Sequence, residues 1–316
     1  MPPVFADDQL AAFVAQAAQP GPLDVTAMRA GTEERARARP PGPDMTAVRD
    51  LRAGDLAVRL YQPLAEPAGL VVYLHGGGWT IGSLATHDRV CRLLARGSGA
   101  AVLAVGYRLA PEHPWPASVD DAVAALQWVA DQPAELGPAA AIVAGKVAVC
   151  GDSAGGTLAA LACLRLRDED SRALPVLQVL LCANTDLTGS QPSMRDKGTG
   201  FGLEASGIRF FNSQWVPEPA HWGDPGVSPL QAPDLSGLPS ALLVTAEHDP
   251  LRDEGEAYAR RLADAGVDVE LRREPGLIHN FVMLDTVSPA CAAATDRVAA
   301  DLRRRLALPV TRPGSP

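Results

Sequence analysis

Residues Val147 to Leu161 read VAVCGDSAGGTLAAL. An apolar run rich in valine leads into a serine flanked two positions away on each side by Gly151 and Gly155, and an alanine- and leucine-rich run follows. The spacing predicts a buried strand, a tight turn and a helix. A turn this tight holds the serine backbone in a strained conformation, and side chains two residues to either side of it would collide. Gly151 and Gly155 remove those side chains. Ser153 then stands at a helix N-terminus, where backbone N–H groups and the helix dipole favour developing negative charge. A glycine-rich turn with a capping serine would give the same letters. The rest of the chain decides between a cap and a nucleophile.

On either side of this unit, short apolar runs alternate with amphipathic ones. Leu56 to Leu64 alternates like a half-exposed strand, and the runs starting at Gly69, Ala100, Lys146, Leu177 and Ala241 read as buried parallel strands, with Val267 to Arg273 closing the series. Helical periodicity covers His87 to Arg96, Ala117 to Ala130, Thr157 to Arg167, Asp253 to Ala265 and Ala290 to Leu306. Strand and helix in alternation predict an α/β fold, a mostly parallel sheet with helices on both faces. Residues 188–233 break the rhythm: they hold Phe201, Phe210, Phe211, Trp215 and Trp222 among Gly, Pro and Ser, with no clear buried strand. Together with the polar N-terminal region 1–50, which carries Phe5 and Phe13, this insertion is expected to form a cap over a pocket. The core is then expected in two parts, 51–187 and 234–316.

Composition excludes several functions. The 316 residues are 47% hydrophobic and 21% charged, with a net charge of -9 and no basic block, so a nucleic acid or anionic membrane is not the partner. The opening MPPVFADDQLAAFVAQAAQ has acids and no basic segment, and no apolar run reaches bilayer length, so the expectation is a cytoplasmic protein without membrane insertion. Five scattered cysteines (Cys91, Cys150, Cys163, Cys182, Cys291) match neither a zinc site nor a disulfide framework and read as small buried hydrophobes.

A serine hydroxyl needs a base, and the base an orienting acid. In this topology they follow the serine in the order acid, histidine, on turns at the C-terminal ends of later strands. Of the later histidines, His221 lies in the insertion and His248 directly precedes the best acid, whereas His279 in PGLIHNF follows the last strand. Asp249, just past the strand ALLVTAE, is the acid. An Asp followed by Pro250 is also a good start for a helix, and Glu247 and Asp253 are the alternatives. The run His75-Gly76-Gly77-Gly78-Trp79 follows another strand; its glycines can turn backbone N–H groups toward an oxyanion, and the N–H of Ala154 supplies one more. A dinucleotide loop is excluded because Ile81 falls where its last glycine belongs, and AGKV lacks the Ser or Thr of a P-loop.

At this point YLHGGGW, YRLAPEHPWPASVDDA, GDSAGG, DPLRDEGEAYARRL and GLIHNF, in that order, resemble the hormone-sensitive-lipase-like esterases (bacterial family IV) of the α/β-hydrolase superfamily, from about Leu56 to the last helix. The resemblance implies an α/β-hydrolase core with a helical cap, Ser153, Asp249 and His279 as a triad, and Gly77, Gly78 and Ala154 as oxyanion donors, with Gly76 serving the turn. It implies no cofactor and no metal. It also implies a cis peptide at Trp115-Pro116. Substrate contacts are expected from Trp79, Asp152, Phe201, Phe211, Trp215 and Asn280. The chain departs from the family where Cys182-Ala183 replaces Tyr-Pro and where Asn280 replaces Gly after the base. Asp120 and Asp121 read as solvated or N-terminal helix charges and Arg108 as a structural ion-pair partner. The implied activity is hydrolysis of short- to medium-chain carboxylic esters, small-molecule substrates, through an acyl-enzyme. The same site could open lactones, cleave activated amides or transfer acyl groups, and a non-catalytic binding protein, as in the plant gibberellin receptors that lack the histidine, is the reading from another class. An edge strand near Val267 to Arg273 allows a homodimer.

Overall fold

A computed structural model describes residues 3–17, 23–131, 133–142 and 146–307. Two helices, α1 (Asp8–Ala17) and α2 (Val25–Ala38), precede an antiparallel pair, β1 (Ala47–Ala53) and β2 (Leu56–Gln62). The chain continues through β3 (Leu70–Leu74), α3 (Asp88–Ser98), β4 (Ala101–Gly106), α4 (Ala117–Ala130), β5 (Val147–Asp152), α5 (Ala154–Asp168) and β6 (Leu177–Leu181). After the insertion, with α6 (Pro192–Asp196) and α7 (Ala205–Trp215), come β7 (Ser240–His248), α8 (Arg252–Asp264), β8 (Val269–Ile278) and α9 (Pro289–Ala307). The eight strands form one sheet in the order β1-β2-β4-β3-β5-β6-β7-β8, parallel from β4 to β8.

The central strands are buried on both sides and carry mostly apolar residues, Gln178 and Asp152 being the buried polar exceptions, and helices cover both faces. One core lies between the sheet and α4, α5 and α8, around Leu158, Leu126 and Tyr258. The other, beneath α3 and α9, gathers Leu94, Val298 and Leu302, and Leu10 of α1 joins it. All five cysteines are free and buried.

One element escaped the sequence reading. β1 begins at Ala47, so the sheet takes in residues that the composition assigned to the N-terminal cap part, 1–50. Its side chains alternate between half-buried and exposed and include Arg49, Asp50 and Arg52, so it lacks the apolar run that marks the inner strands. Trp115-Pro116 is cis, and Ala110-Pro111 is a second cis bond. Asp121 is not a solvated charge: it is buried and holds the Arg108 guanidinium at 2.7 Å and the Arg108 N–H at 2.8 Å. Asp120 stays at the surface, paired with Arg165.

The topology gathers five strand ends. β3, β5, β6, β7 and β8 run parallel, so the loops after them meet at one edge, the usual place for a site in an open α/β sheet.

Candidate active site

The turn after β5 behaves as its glycines require. Ser153 sits at φ 54, ψ -122, outside the ordinary regions for a residue with a side chain, held by its N–H donating to the Leu181 carbonyl at 2.8 Å. A Cβ on Gly155 would lie 2.0 Å from the Leu74 carbonyl oxygen, and one on Gly151 2.2 Å from that of Gly155, so backbone from β3 and α5 occupies the space of both side chains. The capping alternative fails, because the Ser153 side chain makes no cap hydrogen bond. Its Oγ instead lies 3.0 Å from His279 Nε2.

His279 follows β8 directly, and its Nδ1 lies 2.8 Å from Asp249 Oδ2. The carboxylate accepts from Nδ1–H, which leaves Nε2 as the acceptor facing the serine hydroxyl. Asp249 is fully buried, and its other oxygen accepts the Leu251 N–H at 2.8 Å. The helix-capping alternative fails, because α8 starts at Arg252 with Leu251 at its cap position; one Asp249 oxygen braces the turn before the helix and the other meets the imidazole. Glu247 is occupied by the Gly276 N–H at 2.7 Å and Asp253 by Ser193 and Arg252. His248 stacks on Phe201 and faces the Val4 carbonyl, and His221 pairs with Asp224 at the surface. Neither reaches Ser153.

The loop after β3 lies alongside. Gly77 and Gly78 take φ values of 119 and 57, and a Cβ on Gly78 would lie 2.3 Å from the Phe211 ring. Among the described residues, no protein acceptor takes the N–H of Gly77, Gly78 or Ala154. Beneath the loop, Asp152 is buried and points away from the site. Its Oδ1 accepts the Tyr73 hydroxyl at 2.6 Å and the Gly76 N–H at 2.9 Å, while Oδ2 faces His87 Nε2 at 3.5 Å. Burial works against ionisation of Asp152, yet His87 and the Tyr73 hydroxyl more than offset it and hold the carboxyl below its ordinary 3.8. His75 is pushed down to about 3 by burial and by His87, so it stays neutral; the Tyr107 hydroxyl donates to its carbonyl at 2.7 Å. Because the folded value of Asp152 is depressed, its contribution to stability is complete above 3.8 and is lost as pH falls through the lowered value. Asp152→Asn is thus expected to destabilise by about 3 kcal/mol at neutral pH. In denaturant melts, the gap from the parent should hold from pH 8 to 4 and narrow below 3.8.

A cavity of about 110 Å³ opens on Ser153 and His279. Trp79, Phe211 and Asn280 line it, as the sequence predicts, together with Ile81, Asn184, Leu203, Ile208, Asn212 and Leu251, which it did not single out. Three expected contacts lie elsewhere. Asp152 is under the oxyanion loop for the reason given, and Trp215 is buried behind Trp79, stacked on it at 4.0 Å with its N–H donating to Ser118. Phe201 packs on Phe5 and His248, pinning the N-terminal segment to the insertion. Cys182 Sγ, an Asp249 oxygen and a His279 nitrogen lie within 4.8 Å of one another, a possible ligand set for a metal. The acid and imidazole are bonded directly to each other, however, and burial pushes the Cys182 thiol well up, so the set fits a proton relay better than an ion.

Comparison with known proteins agrees with this geometry. Residues 71–283 match a family model described as alpha/beta hydrolase fold. The chain is 43% identical over 296 residues to carboxylic ester hydrolase LipN of Mycobacterium tuberculosis, spanning 90% of this chain and 77% of that one. It is 42% identical over 236 residues to an ethyl acetate hydrolase of Pseudomonas putida, 73% of each. Among solved structures, a hyperthermophilic esterase from Pyrobaculum calidifontis superposes with a TM-score of 0.86 at 38% identity, covering 95% of this chain and 99% of that one. The ordered motifs, the strained serine turn and these likenesses converge, and the chain belongs to the hormone-sensitive-lipase-like carboxylic ester hydrolases of the α/β-hydrolase fold.

Proposed function

We propose that the protein hydrolyses short-chain carboxylic esters through an acyl-enzyme on Ser153. The carrying observation is the unbroken chain Asp249 Oδ2 to His279 Nδ1 at 2.8 Å and His279 Nε2 to Ser153 Oγ at 3.0 Å, opening on a small cavity. His279 takes the hydroxyl proton as Oγ attacks the ester carbonyl, and Asp249 steadies the imidazolium. The carbonyl oxygen, now negative, is received by the N–H groups of Gly77, Gly78 and Ala154. The alcohol leaves with the proton from His279, and water repeats the sequence on the acyl-enzyme, returning the acid and free Ser153.

The cavity sets the chain length. Its small volume, about 110 Å³, favours short acyl groups. With p-nitrophenyl esters from acetate to palmitate, kcat/KM is expected to peak at acetate or butyrate and to fall at least tenfold by decanoate. A maximum at palmitate would overturn the short-chain assignment.

Residues 188–233 and the N-terminal helices serve as the cap in this reading. Its support is that Leu203, Ile208, Phe211 and Asn212 line the cavity and that Arg29 of α2 donates to the Thr80 carbonyl at 2.8 Å beside the oxyanion loop. Gly78→Ala tests the oxyanion assignment. The added methyl meets Phe211 and strains a left-handed residue, so kcat is expected to fall about 10²- to 10³-fold with a smaller change in KM. A kcat within a factor of three of the parent would place the donors elsewhere. Five unpaired thiols support a cytoplasmic location, which cell fractionation would test. The edge strand β8, with Leu271 exposed, is the surface for a homodimer, to be read by gel filtration.

A further inference from the structure

The N–H groups of the oxyanion loop are aimed by the carbonyls around them, because a trans peptide is planar and its N–H points opposite to its C=O. Holding the Gly76 carbonyl therefore aims the N–H of Gly77, and holding the Gly77 carbonyl aims the N–H of Gly78. Both are held. The Gly76 carbonyl accepts His75 Nδ1–H at 2.8 Å, and that of Gly77 accepts the N–H of Thr80 at 3.1 Å and of Ile81 at 2.9 Å. The next three are taken as well: Gly78 by the Thr80 hydroxyl at 2.9 Å, Trp79 by the Ala110 N–H at 2.9 Å and Thr80 by Arg29 Nε–H at 2.8 Å. The loop needs this support, since Gly77, Gly78 and Trp79 take φ values of 119, 57 and 56 in succession, and such a run persists only where its surroundings fix it. Thr80 is the hub, gripping two of these carbonyls with its N–H and hydroxyl. Its own carbonyl is the one held from the N-terminal helices.

Apolar burial does little to seat α2 here, because none of its residues is buried. It reaches the core through two side chains one turn apart on the same face, Arg29 and Glu33. Besides the Thr80 carbonyl, Arg29 holds the Ala110 carbonyl through Nη2 at 2.9 Å and meets the Glu112 carboxylate through Nη1 and Nη2 at 2.8 and 2.7 Å. Glu33 accepts the Ser83 hydroxyl at 2.6 Å. Both residues thus grip the segment directly after the oxyanion glycines. The side chains of Arg29 and Glu112 are 31% and 55% exposed, so their ion pair adds little stability. A guanidinium is a rigid fork, however, and pairing two of its arms fixes the direction of Nε–H toward Thr80.

We propose that Arg29 is a positioning residue for the oxyanion hole: it holds Thr80, Thr80 holds the Gly77 and Gly78 carbonyls, and the Gly78 N–H stays aimed only while α2 is docked. The inference rests on the esterase reading and gives a cap helix a part in the chemical step besides covering the pocket. A donor displaced by a fraction of an ångström still binds the ground-state ester, and the loss falls on the transition state, where the negative oxygen must be met.

The test uses Arg29→Ala and Arg29→Met, the methionine keeping an apolar stem, so that misfolding of one leaves the other; melting curves show which are folded. In each folded variant kcat for p-nitrophenyl acetate is expected to fall about tenfold while KM stays within about threefold of the parent. Arg29→Lys, with a donor but no fork, should recover part of the loss, and millimolar ethylguanidinium should raise kcat of Arg29→Ala severalfold while leaving the parent unmoved. Thr80→Val removes the hydroxyl that holds the Gly78 carbonyl, and adding Arg29→Ala to it should cost less than Arg29→Ala costs the parent, because both act through one loop. A tie that serves stability alone would lower the melting temperature and move none of these three readouts. An active parent whose folded Arg29 variants keep kcat within about twofold, or lose in KM and not in kcat, would overturn this inference alone, as would full additivity with Thr80→Val. Turnover of no ester by the parent would overturn the esterase reading and this inference with it.

Discussion

Ser153→Ala is expected to lower kcat for p-nitrophenyl acetate by about 10⁴-fold or more while the melting temperature stays within a few degrees of the parent. The substitution removes the one oxygen that lies 3.0 Å from His279 Nε2 and is strained into the cavity by its φ of 54. Alanine at this φ is no worse than serine, and what is lost to the fold is one hydrogen bond. The free N–H groups of the oxyanion loop remain, so a residual rate above water persists. Adding His279→Ala to Ser153→Ala should cost almost nothing more, because base and nucleophile act as one unit. A single variant retaining more than about 1% of parent turnover would mean that the glycine-flanked serine is not the nucleophile.

Asp249→Asn should be nearly as damaging, about 10⁴-fold in kcat, for a reason specific to this turn. Asp249 Oδ1 accepts the Leu251 N–H at 2.8 Å, and in the variant an amide oxygen must keep that bond. The amide nitrogen then faces His279 Nδ1 as a donor. The imidazole answers by carrying its proton on Nε2, the atom facing Ser153, and loses its ability to accept the hydroxyl proton. Asp249→Ala leaves the tautomer free and should retain more activity than Asp249→Asn at equal stability. A fall of less than tenfold in the asparagine variant would move the orienting role to another carboxylate, although Glu247 and Asp253 are committed to backbone N–H groups of Gly276 and Ser193.

Both expectations were open to a reader of the sequence because the triad is written in local signals. Ser153 and Asp249 each follow an apolar strand, and His279 follows the last strand of the series. The sequence resolved the inner strands for the same reason: burial on both faces demands apolar residues throughout, and such runs stand out. β1 did not stand out, since an outer strand exposed on one side needs no such run, and Arg49, Asp50 and Arg52 disguise it. Asp121 was also misjudged. Four residues into a helix it reads as a surface charge, and only the return of the chain at Arg108 covers it.

The lining of the pocket shows the division most clearly. An aromatic in a Gly- and Pro-rich insertion announces packing but not the partner. Phe211 faces the cavity, Phe201 clasps Phe5, and Trp215 props Trp79 from behind, and no local pattern separates the three. Asn184 and Asn212 carry no motif at all, and only the fold brings them to the cavity at Ser153. The sequence by itself determined the fold class, the order of the strands along the chain and which serine, aspartate and histidine are the candidates for chemistry, because these depend on neighbours within a few residues. Only the tertiary structure decided which side chains meet over the serine, because that depends on contacts between segments far apart in the chain, whose approach is set by the packing of the whole sheet.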